Sequence, residues 1–179
     1  MDEIEIVEYN PRWASLFTHE AERIRKVVGD DFIVAIEHIG STAVPGLAAK
    51  PVIDIMVGVR SLEEGKRAIP VLEAIGYVYW RENPRPERMF FVKGMPPYGK
   101  RRTHHVHVVE AYGEFWERKL FCDYLRLHPE EARRYEALKR ELAARFRTDR
   151  EAYTHGKGEY IQAVMEKASL TFSAADFRI

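Results

Sequence analysis

The run Val52–Val59 is the feature that most constrains the fold of this 179-residue chain. It is apolar apart from Gly58 and one charged residue, Asp54. Runs of this kind are typical of interior strands that are covered on both faces. Further strand-like segments occur at 33–39, 77–81, 88–93 and 104–110. We therefore predict a small mixed β-sheet that lies between helices, which is an α+β (α/β) fold.

Helical patterns flank these strand segments. Residues 12–28 carry an apolar stripe at helical spacing, and the segment 61–75 begins with the capping box Ser61-x-x-Glu64. Pro70 lies inside this second segment, so we expect a kink or a break there.

Three more helices are expected after the last strand. The first covers about 114–127, and the second starts at Pro129, since proline is favoured at the first helical position. The third opens with another capping box at Thr148 and contains Gly156 and Gly158. Each glycine inside a helix costs about 1 kcal/mol relative to alanine.

Length and patterning together predict one domain over residues 1–170. We expect its sheet core at about 30–111 and its C-terminal helical part at about 114–169. Residues 171–179 show no clear pattern and are expected to form a tail.

Charge and composition narrow the functional classes. The 28 basic residues balance the 28 acidic ones, which argues against a general nucleic-acid binder, because such proteins need a broad basic excess. No stretch approaches the roughly 18 apolar residues of a membrane span, and the acidic N-terminus lacks the apolar run of a signal peptide. The single cysteine, Cys122, excludes an internal disulfide framework. We therefore expect a cytoplasmic protein without membrane association.

The loop between the first two strands has the composition of a phosphate-binding turn. Gly40 allows a phosphate to approach the backbone closely, and Ser41 and Thr42 add hydroxyl and amide donors. Lys50, at the end of the same loop, adds a positive charge. We also expect a short helical turn at 45–49 in this loop.

Asp54 and two histidines form the candidate metal site. An isolated carboxylate in an apolar strand is costly, so Asp54 either binds a metal ion or forms a structural ion pair, for instance with Lys50. Alternation along the last strand places His105 and His107 on one face, where both can reach one metal ion or one phosphate. The alternative is that one or both histidines are structural. One oxygen and two nitrogen ligands suit Mn²⁺ or Zn²⁺ better than Mg²⁺.

Positive charge is concentrated just before the histidines. Residues 81–102 hold seven basic and two acidic side chains, which gives a local net charge of +5. Lys93 and Arg102 lie nearest the strands and are expected to reach a bound anion. Lys157 shares a helical face with Tyr153, and it either points into a cleft or extends its charge to solvent. A phosphate-bearing substrate is the simplest partner for these residues.

Except for Lys93, these candidate residues lie in segments that resemble the signatures of the GrpB family of uncharacterised proteins. The first segment is 37–54, EHIGSTAVPGLAAKPVID, and the second is 102–110, RTHHVHVVE. The third is 123–129, DYLRLHP, together with 135–139, YEALK, and the last is 153–157, YTHGK. The resemblance covers roughly residues 4–168.

The resemblance implies the nucleotidyltransferase-fold superfamily. By this likeness Gly40-Ser41 is the superfamily's Gly-Ser element, and Asp54 is its first metal-binding carboxylate. The superfamily places a second acid two residues further on, where this chain has Met56. Either Glu37 or Glu110 supplies the missing oxygen, or the metal differs, or catalysis is lost. Some members of the family are fused to dephospho-CoA kinase, which implies an association with CoA metabolism.

Two functions follow from these residues. The first is a metal-dependent nucleotidyltransferase that binds a nucleotide or another phosphorylated small molecule. Its catalytic residues would be Asp54, His105 and His107, and these three with Glu37 would hold a divalent ion, Mg²⁺, Mn²⁺ or Zn²⁺. Its phosphate-binding residues would be Gly40, Ser41, Thr42, Lys50, Lys93, Arg102 and Lys157. The alternative is a non-catalytic module for a nucleotide or a CoA-like ligand, which has lost the second metal carboxylate.

Overall fold

The computed structural model describes residues 3–172 and contains the predicted mixed sheet flanked by helices, so the expected fold class is confirmed. Its strands are β1 (Ala35–Ile39), β2 (Ile53–Val59), β3 (Tyr77–Tyr79), β4 (Arg88–Lys93) and β5 (His104–Glu110). They lie in the order β1-β2-β5-β4-β3. β2 pairs in parallel with β5, and the other neighbours are antiparallel. Residues 173–179 of the expected tail lie outside the described residues.

Helices account for most of the remaining chain. They are α1 (Arg12–Val28), α2 (Leu62–Gly65), α3 (Ala68–Ala74), α4 (Arg118–Leu127), α5 (Pro129–Arg145), α6 (Arg150–Gly156) and α7 (Gly158–Thr171). Short 3-10 turns lie at Ser41–Ala43 and Glu114–Glu117. Between residues 3 and 172, no helix is both long and apolar enough to cross a membrane.

The two faces of the sheet are covered by different helices. α1 and α3 pack on one face, around the buried side chains of Ile55, Val57 and Val106. α4, α5 and α7 pack on the other face, around Met56 and Val109. We call the first the α1/α3 face and the second the cleft face. Because both faces of β2 are covered, its nearly continuous apolar run is explained.

The helical turn of the first loop lies at Ser41–Ala43 and not at 45–49. The reason is Gly40, which has a φ of 75° and turns the chain sharply as soon as β1 ends. The turn therefore begins next to the sheet and leaves Ser41 close to the end of β1.

The segment 61–75 begins as predicted but breaks at a different place. Ser61 Oγ accepts a hydrogen bond from the backbone N–H of Glu64 at 3.2 Å, as the capping box requires. The break between α2 and α3 falls at 66–67, so the expectation of a kink at Pro70 was wrong. Pro70 lies in the first turn of α3, where the N–H that proline lacks has no helical partner to lose.

The C-terminal helices also differ from expectation. The first starts as the 3-10 turn Glu114–Glu117, and the third is divided at Lys157 into α6 and α7. The N-cap of α6 is Asp149 and not Thr148, since its carboxylate accepts a hydrogen bond from the N–H of Ala152 at 2.9 Å. Asp and Thr are both good capping residues, so the sequence alone does not separate them.

Candidate functional site

The pairing of β2 with β5 brings Asp54 and the two histidines together. The parallel register sets Asp54 beside His105 and Met56 beside His107, and paired residues point to the same face. His105 Nδ1 lies 2.9 Å from Asp54 Oδ1, and His107 Nε2 lies 3.6 Å from the same oxygen. The predicted placement of His105 and His107 on one face is confirmed, and the β2–β5 register brings Asp54 to that same face.

Gly40 lets the first loop approach this cluster. Its φ of 75° and ψ of −177° belong to a region that is essentially restricted to glycine. A Cβ at this position would lie 2.6 Å from Asp54 Oδ2. Thr42 is buried, and its Oγ1 lies 2.9 Å from His38 Nε2, so a hydrogen bond connects the turn to β1. Glycine is therefore required here both for backbone conformation and for space.

The cluster carries one negative charge and two neutral rings at pH 7. Burial works to raise the pKa of Asp54, but hydrogen bonding to His105 and His107 outweighs it and holds that pKa below its usual range. Burial lowers the pKa of His105, and it lowers the pKa of His107 to about 4. Each neutral imidazole still has one N–H to donate to the carboxylate.

Arg88 fixes the orientation of His107. Arg88 Nη1 lies 2.7 Å from His107 Nδ1. Because a guanidinium can only donate, Nδ1 accepts, and the neutral ring carries its proton on Nε2, the atom that faces Asp54. Arg88 belongs to the basic segment 81–102 but is not among the predicted site residues. The sequence did indicate that Arg88 shares a strand face with Phe90, since the two are two residues apart on β4.

A cleft of about 350 Å³ opens above the cluster, between the sheet and the C-terminal helices. Of the described residues that line it, Asp54 is the only acidic one. Seven basic side chains line it as well: Lys50, Arg88, Arg102, Arg118, Lys139, Arg150 and Lys157. Gly40, Ser41 and Thr42 form part of its floor. The cleft therefore has the composition of a site for a ligand with several negative charges.

Three of these lysines lie deep in the cleft around aromatic rings. Lys50 Nζ and Lys157 Nζ lie 4.9 and 4.5 Å from the ring centre of Tyr153. Within the described part of the chain, neither forms a hydrogen bond or an ion pair. Lys139 is buried and donates to the carbonyl oxygen of Ala48. Burial lowers the pKa of Lys50 and of Lys139 to about 7, and that of Lys157 to about 8.

The structure places Lys93 away from the cleft, which corrects the expectation that it reaches the same anion. Lys93 ends β4 on the α1/α3 face, where its Nζ lies 2.6 Å from Glu20 Oε1. The hydroxyl of Tyr77 donates to the same carboxylate oxygen at 2.9 Å. The physical reason is strand alternation, because Lys93 is an odd number of residues from Arg88 and points to the opposite face.

The two acids that could have replaced a second metal carboxylate also lie outside the cleft. Glu37 pairs with Met56 in the sheet, but its surroundings are Lys119, Asp123 and Arg126 of α4, and burial raises its pKa. Glu110 is exposed at the end of β5 and accepts a hydrogen bond from the N–H of Leu62. The metal role expected for Glu37 therefore has no geometric support here.

The remaining three residues lie close enough together to form a candidate site for a divalent ion. One oxygen of Asp54 and one nitrogen from each of His105 and His107 lie within 4.8 Å of one another. His105 Nε2 is buried without a hydrogen-bond partner. Two imidazoles and one carboxylate suit Mn²⁺ or Zn²⁺ better than Mg²⁺, which prefers oxygen ligands. Nε2 of the neutral His107 ring carries its proton, because Arg88 donates to Nδ1. A metal ion could bind Nε2 only after that proton had left.

Several known proteins are similar to this chain. The UPF0157 protein PA4798 of Pseudomonas aeruginosa is 48% identical over 93% of the chain and 68% of the relative. The UPF0157 protein YqkA of Bacillus subtilis is 43% identical over 92% of the chain, which spans 47% of that relative. More distantly, a dephospho-CoA kinase of Mycolicibacterium paratuberculosis is 27% identical over 92% of the chain and 46% of its own length. The chain thus spans only about half of some longer relatives.

A solved structure and a family model agree on the family. The crystal structure of conserved protein GrpB from Enterococcus faecalis superposes with a TM-score of 0.82 at 34% identity. The match covers 92% of this chain and 96% of that one. The family model described as GrpB protein matches residues 3–167, which include every cluster residue described above. On this combined sequence and structural evidence, the chain belongs to the GrpB family.

Proposed function

We propose that the cleft binds a nucleotide or another phosphorylated small molecule together with a divalent metal ion, and that the protein is a nucleotidyltransferase-like enzyme. The observation that carries this proposal is the charge of the cleft, whose described lining residues are seven basic ones and a single acid, Asp54. Lys50 and Lys157 form no ion pair among the described residues, and a polyphosphate would neutralise their charge.

The lining residues divide into roles by position. Ser41 and the amides of its turn lie beside Asp54 and would bind the phosphate nearest the metal ion. Lys50, Arg102 and Lys157 would neutralise the remaining phosphates. A divalent ion on Asp54, His105 and His107 would neutralise charge that develops on the phosphorus oxygens during transfer.

Met56 supports a second candidate, a non-catalytic module for a nucleotide or a CoA-like ligand. It occupies the position of the second acid of the superfamily and is fully buried in the core of the cleft face. A single carboxylate cannot hold a pair of metal ions in the way that two carboxylates do. The similarity to a dephospho-CoA kinase supports including CoA and dephospho-CoA among the ligands to be tested.

Thermal denaturation with nucleotides, CoA compounds and Mg²⁺, Mn²⁺ or Zn²⁺ tests the proposal. A ligand at about 100 times its Kd should stabilise the wild type by about 2.7 kcal/mol. Asp54→Asn should lose the metal-dependent part of this gain, and the matched control Glu37→Gln should keep it. If no combination of nucleotide and metal shifts the wild type, the proposal fails.

Turnover separates the two candidates. Release of pyrophosphate from a nucleoside triphosphate, dependent on both metal and Asp54, is expected of the transferase. Tight binding without any release of pyrophosphate, retained in Asp54→Asn, would support the non-catalytic module instead.

A further inference from the structure

Trp80 is the exposed member of the three tryptophans. Trp80 is 43% exposed, whereas Trp13 and Trp116 are each 3% exposed. The N–H of Trp80 donates to the carbonyl oxygen of Phe90 at 2.8 Å, so Trp80 continues the β3–β4 pairing by one residue. Its ring centre lies 6.2 Å from that of Phe90. A large apolar ring is thus left open at the edge of the sheet, where it can cover a ligand.

This ring is continuous with the candidate metal cluster through Phe90. Phe90 lines the cleft and pairs with His107 in the sheet. Its ring centre lies 5.1 Å from that of His105 and 5.0 Å from that of His107. A row of flat side chains therefore runs from the sheet edge at Trp80 to the cluster.

Arg102 connects the aromatic row to the lysines. It lines the cleft, and its guanidinium carbon lies 5.3 Å from the ring centre of Trp80. It is also close enough to Lys50 for its charge to add to the effect of burial on that lysine's pKa. Trp80 is not among the described residues that line the cleft, but a group attached to a phosphate bound at Arg102 would be within reach of the Trp80 ring.

We infer that Trp80 and Phe90 form a stacking subsite for a planar nucleobase, which makes a nucleotide the ligand of the cleft. The inference rests on the proposed function, because it places the base relative to phosphates bound by the basic residues. Aromatic rings and guanidinium planes both stack on bases, and such stacking tolerates any of the common bases. A phosphorylated compound without an aromatic ring would leave this subsite unused.

Tryptophan fluorescence provides a direct test, since Trp13 and Trp116 are buried and Trp80 is open to ligand. ATP and inorganic triphosphate are titrated separately in the presence of Mn²⁺ into the wild type, Trp80→Ala and Trp80→Phe, with affinities measured by calorimetry. ATP should quench the wild-type fluorescence and triphosphate should not. Trp80→Ala should weaken ATP by about tenfold or more and leave triphosphate unchanged, and Trp80→Phe should restore most of the ATP affinity.

The control variant is Tyr98→Ala, because Tyr98 is 60% exposed and lines a separate pocket beside Lys93. It should change neither affinity. Equal affinity of Trp80→Ala and the wild type for ATP would overturn the inference while leaving phosphate binding intact. An equal loss of ATP and triphosphate in Trp80→Ala would also overturn it, since Trp80 would then only position Arg102. If neither compound binds the wild type, the proposed function fails and the stacking subsite with it.

Discussion

The two faces of the sheet differ in whether their buried charged side chains have ion-pair partners. On the α1/α3 face, the buried carboxylate of Glu20 is matched by Lys93 at 2.6 Å and by the hydroxyl of Tyr77 at 2.9 Å. On the cleft face, Lys50 and Lys157 rest on the ring of Tyr153, and the described residues offer them no ion pair. The first arrangement is built from α1, β3 and β4, and the second from the loop before β2 and the helical region around α6.

We propose that this difference distinguishes charged groups that stabilise the fold from charged groups that bind a ligand. A matched buried pair is costly to break, since the partner left behind stays buried and charged. An unmatched buried charge lowers stability, and it persists where a ligand supplies the missing partner. If this distinction holds, removing a matched partner should destabilise the protein, and removing an unmatched cleft lysine should weaken anion binding without a loss of stability.

Removing Glu20 should produce the largest loss of stability. Glu20→Ala leaves the half-buried Lys93 ammonium and the buried Tyr77 hydroxyl without their acceptor, which should lower the free energy of unfolding by about 3 kcal/mol. Urea denaturation measures this change. Nucleotide affinity of the folded variant should match that of the wild type, because the pair lies on the opposite face. A variant as stable as the wild type would show that this pair is not structural.

Lys50→Met should have the reverse effect on the cleft face. It replaces an unmatched, largely buried ammonium by an apolar side chain of similar length, so the free energy of unfolding should stay equal or rise by up to about 1 kcal/mol. Affinity for pyrophosphate should fall by about tenfold, because a charge-assisted hydrogen bond to phosphate is lost. Calorimetry and urea denaturation of the same sample measure both quantities. A destabilised variant with unchanged affinity would contradict the assignment.

Local patterns in the sequence predict part of the candidate site, whereas contacts that depend on strand register and tertiary packing were not predicted. Strand alternation placed His105 and His107 on one face, and the Gly40-Ser41 loop was predicted just before the strand that carries Asp54. That Asp54 shares the face of the histidines depends on the β2–β5 register. Alternation alone does not tell which face of β4 looks into the cleft, so Lys93 was expected on the wrong side. Lys139 and Arg150 enter the cleft from α5 and α6 through tertiary packing, so neither was assigned to the site, although Lys139 ends the family-like segment 135–139. Arg88 was counted within a charged segment, but its contact with His107 depends on strand register.

The acidity of the cleft lysines should make anion binding depend on pH. Burial lowers the pKa of Lys50 and Lys139 to about 7 and that of Lys157 to about 8. As the pH falls from about 9 to about 6, these groups gain protons, so affinity for sulfate, whose charge is constant in this range, should rise severalfold. Lys50→Met should show a shallower dependence. An affinity independent of pH would place these lysines outside the anion site.

The lowered pKa values of these lysines also determine how the stability of the ligand-free protein changes with pH. Because the folded pKa values lie below those of unfolded lysine, the unfolded chain binds more protons between about pH 7 and about pH 10. The contribution of these lysines to stability therefore rises with pH across that window and is lost as the pH falls through about 7. Denaturation of wild type and Lys50→Met at both ends of the window isolates the part that belongs to Lys50.

The smallest effect concerns the helix that carries Tyr153. Asp149→Ala removes the cap of α6 and should lower the free energy of unfolding by about 1 kcal/mol, whereas Thr148→Ala should leave it nearly unchanged. Urea denaturation of the two variants compares them directly. A larger loss in Thr148→Ala would return the cap to the position that the sequence pattern suggested.

The central claim is that the unmatched positive charge of the cleft face serves a phosphate-bearing ligand held near Asp54. Isothermal titration calorimetry of ATP with Mn²⁺ into the wild type, Lys50→Met and Asp54→Asn tests it most directly. The account predicts saturable binding at one site per chain, weakened in Lys50→Met and stripped of its metal dependence in Asp54→Asn. Absence of binding in the wild type, or equal binding with unchanged metal dependence in all three proteins, would contradict it.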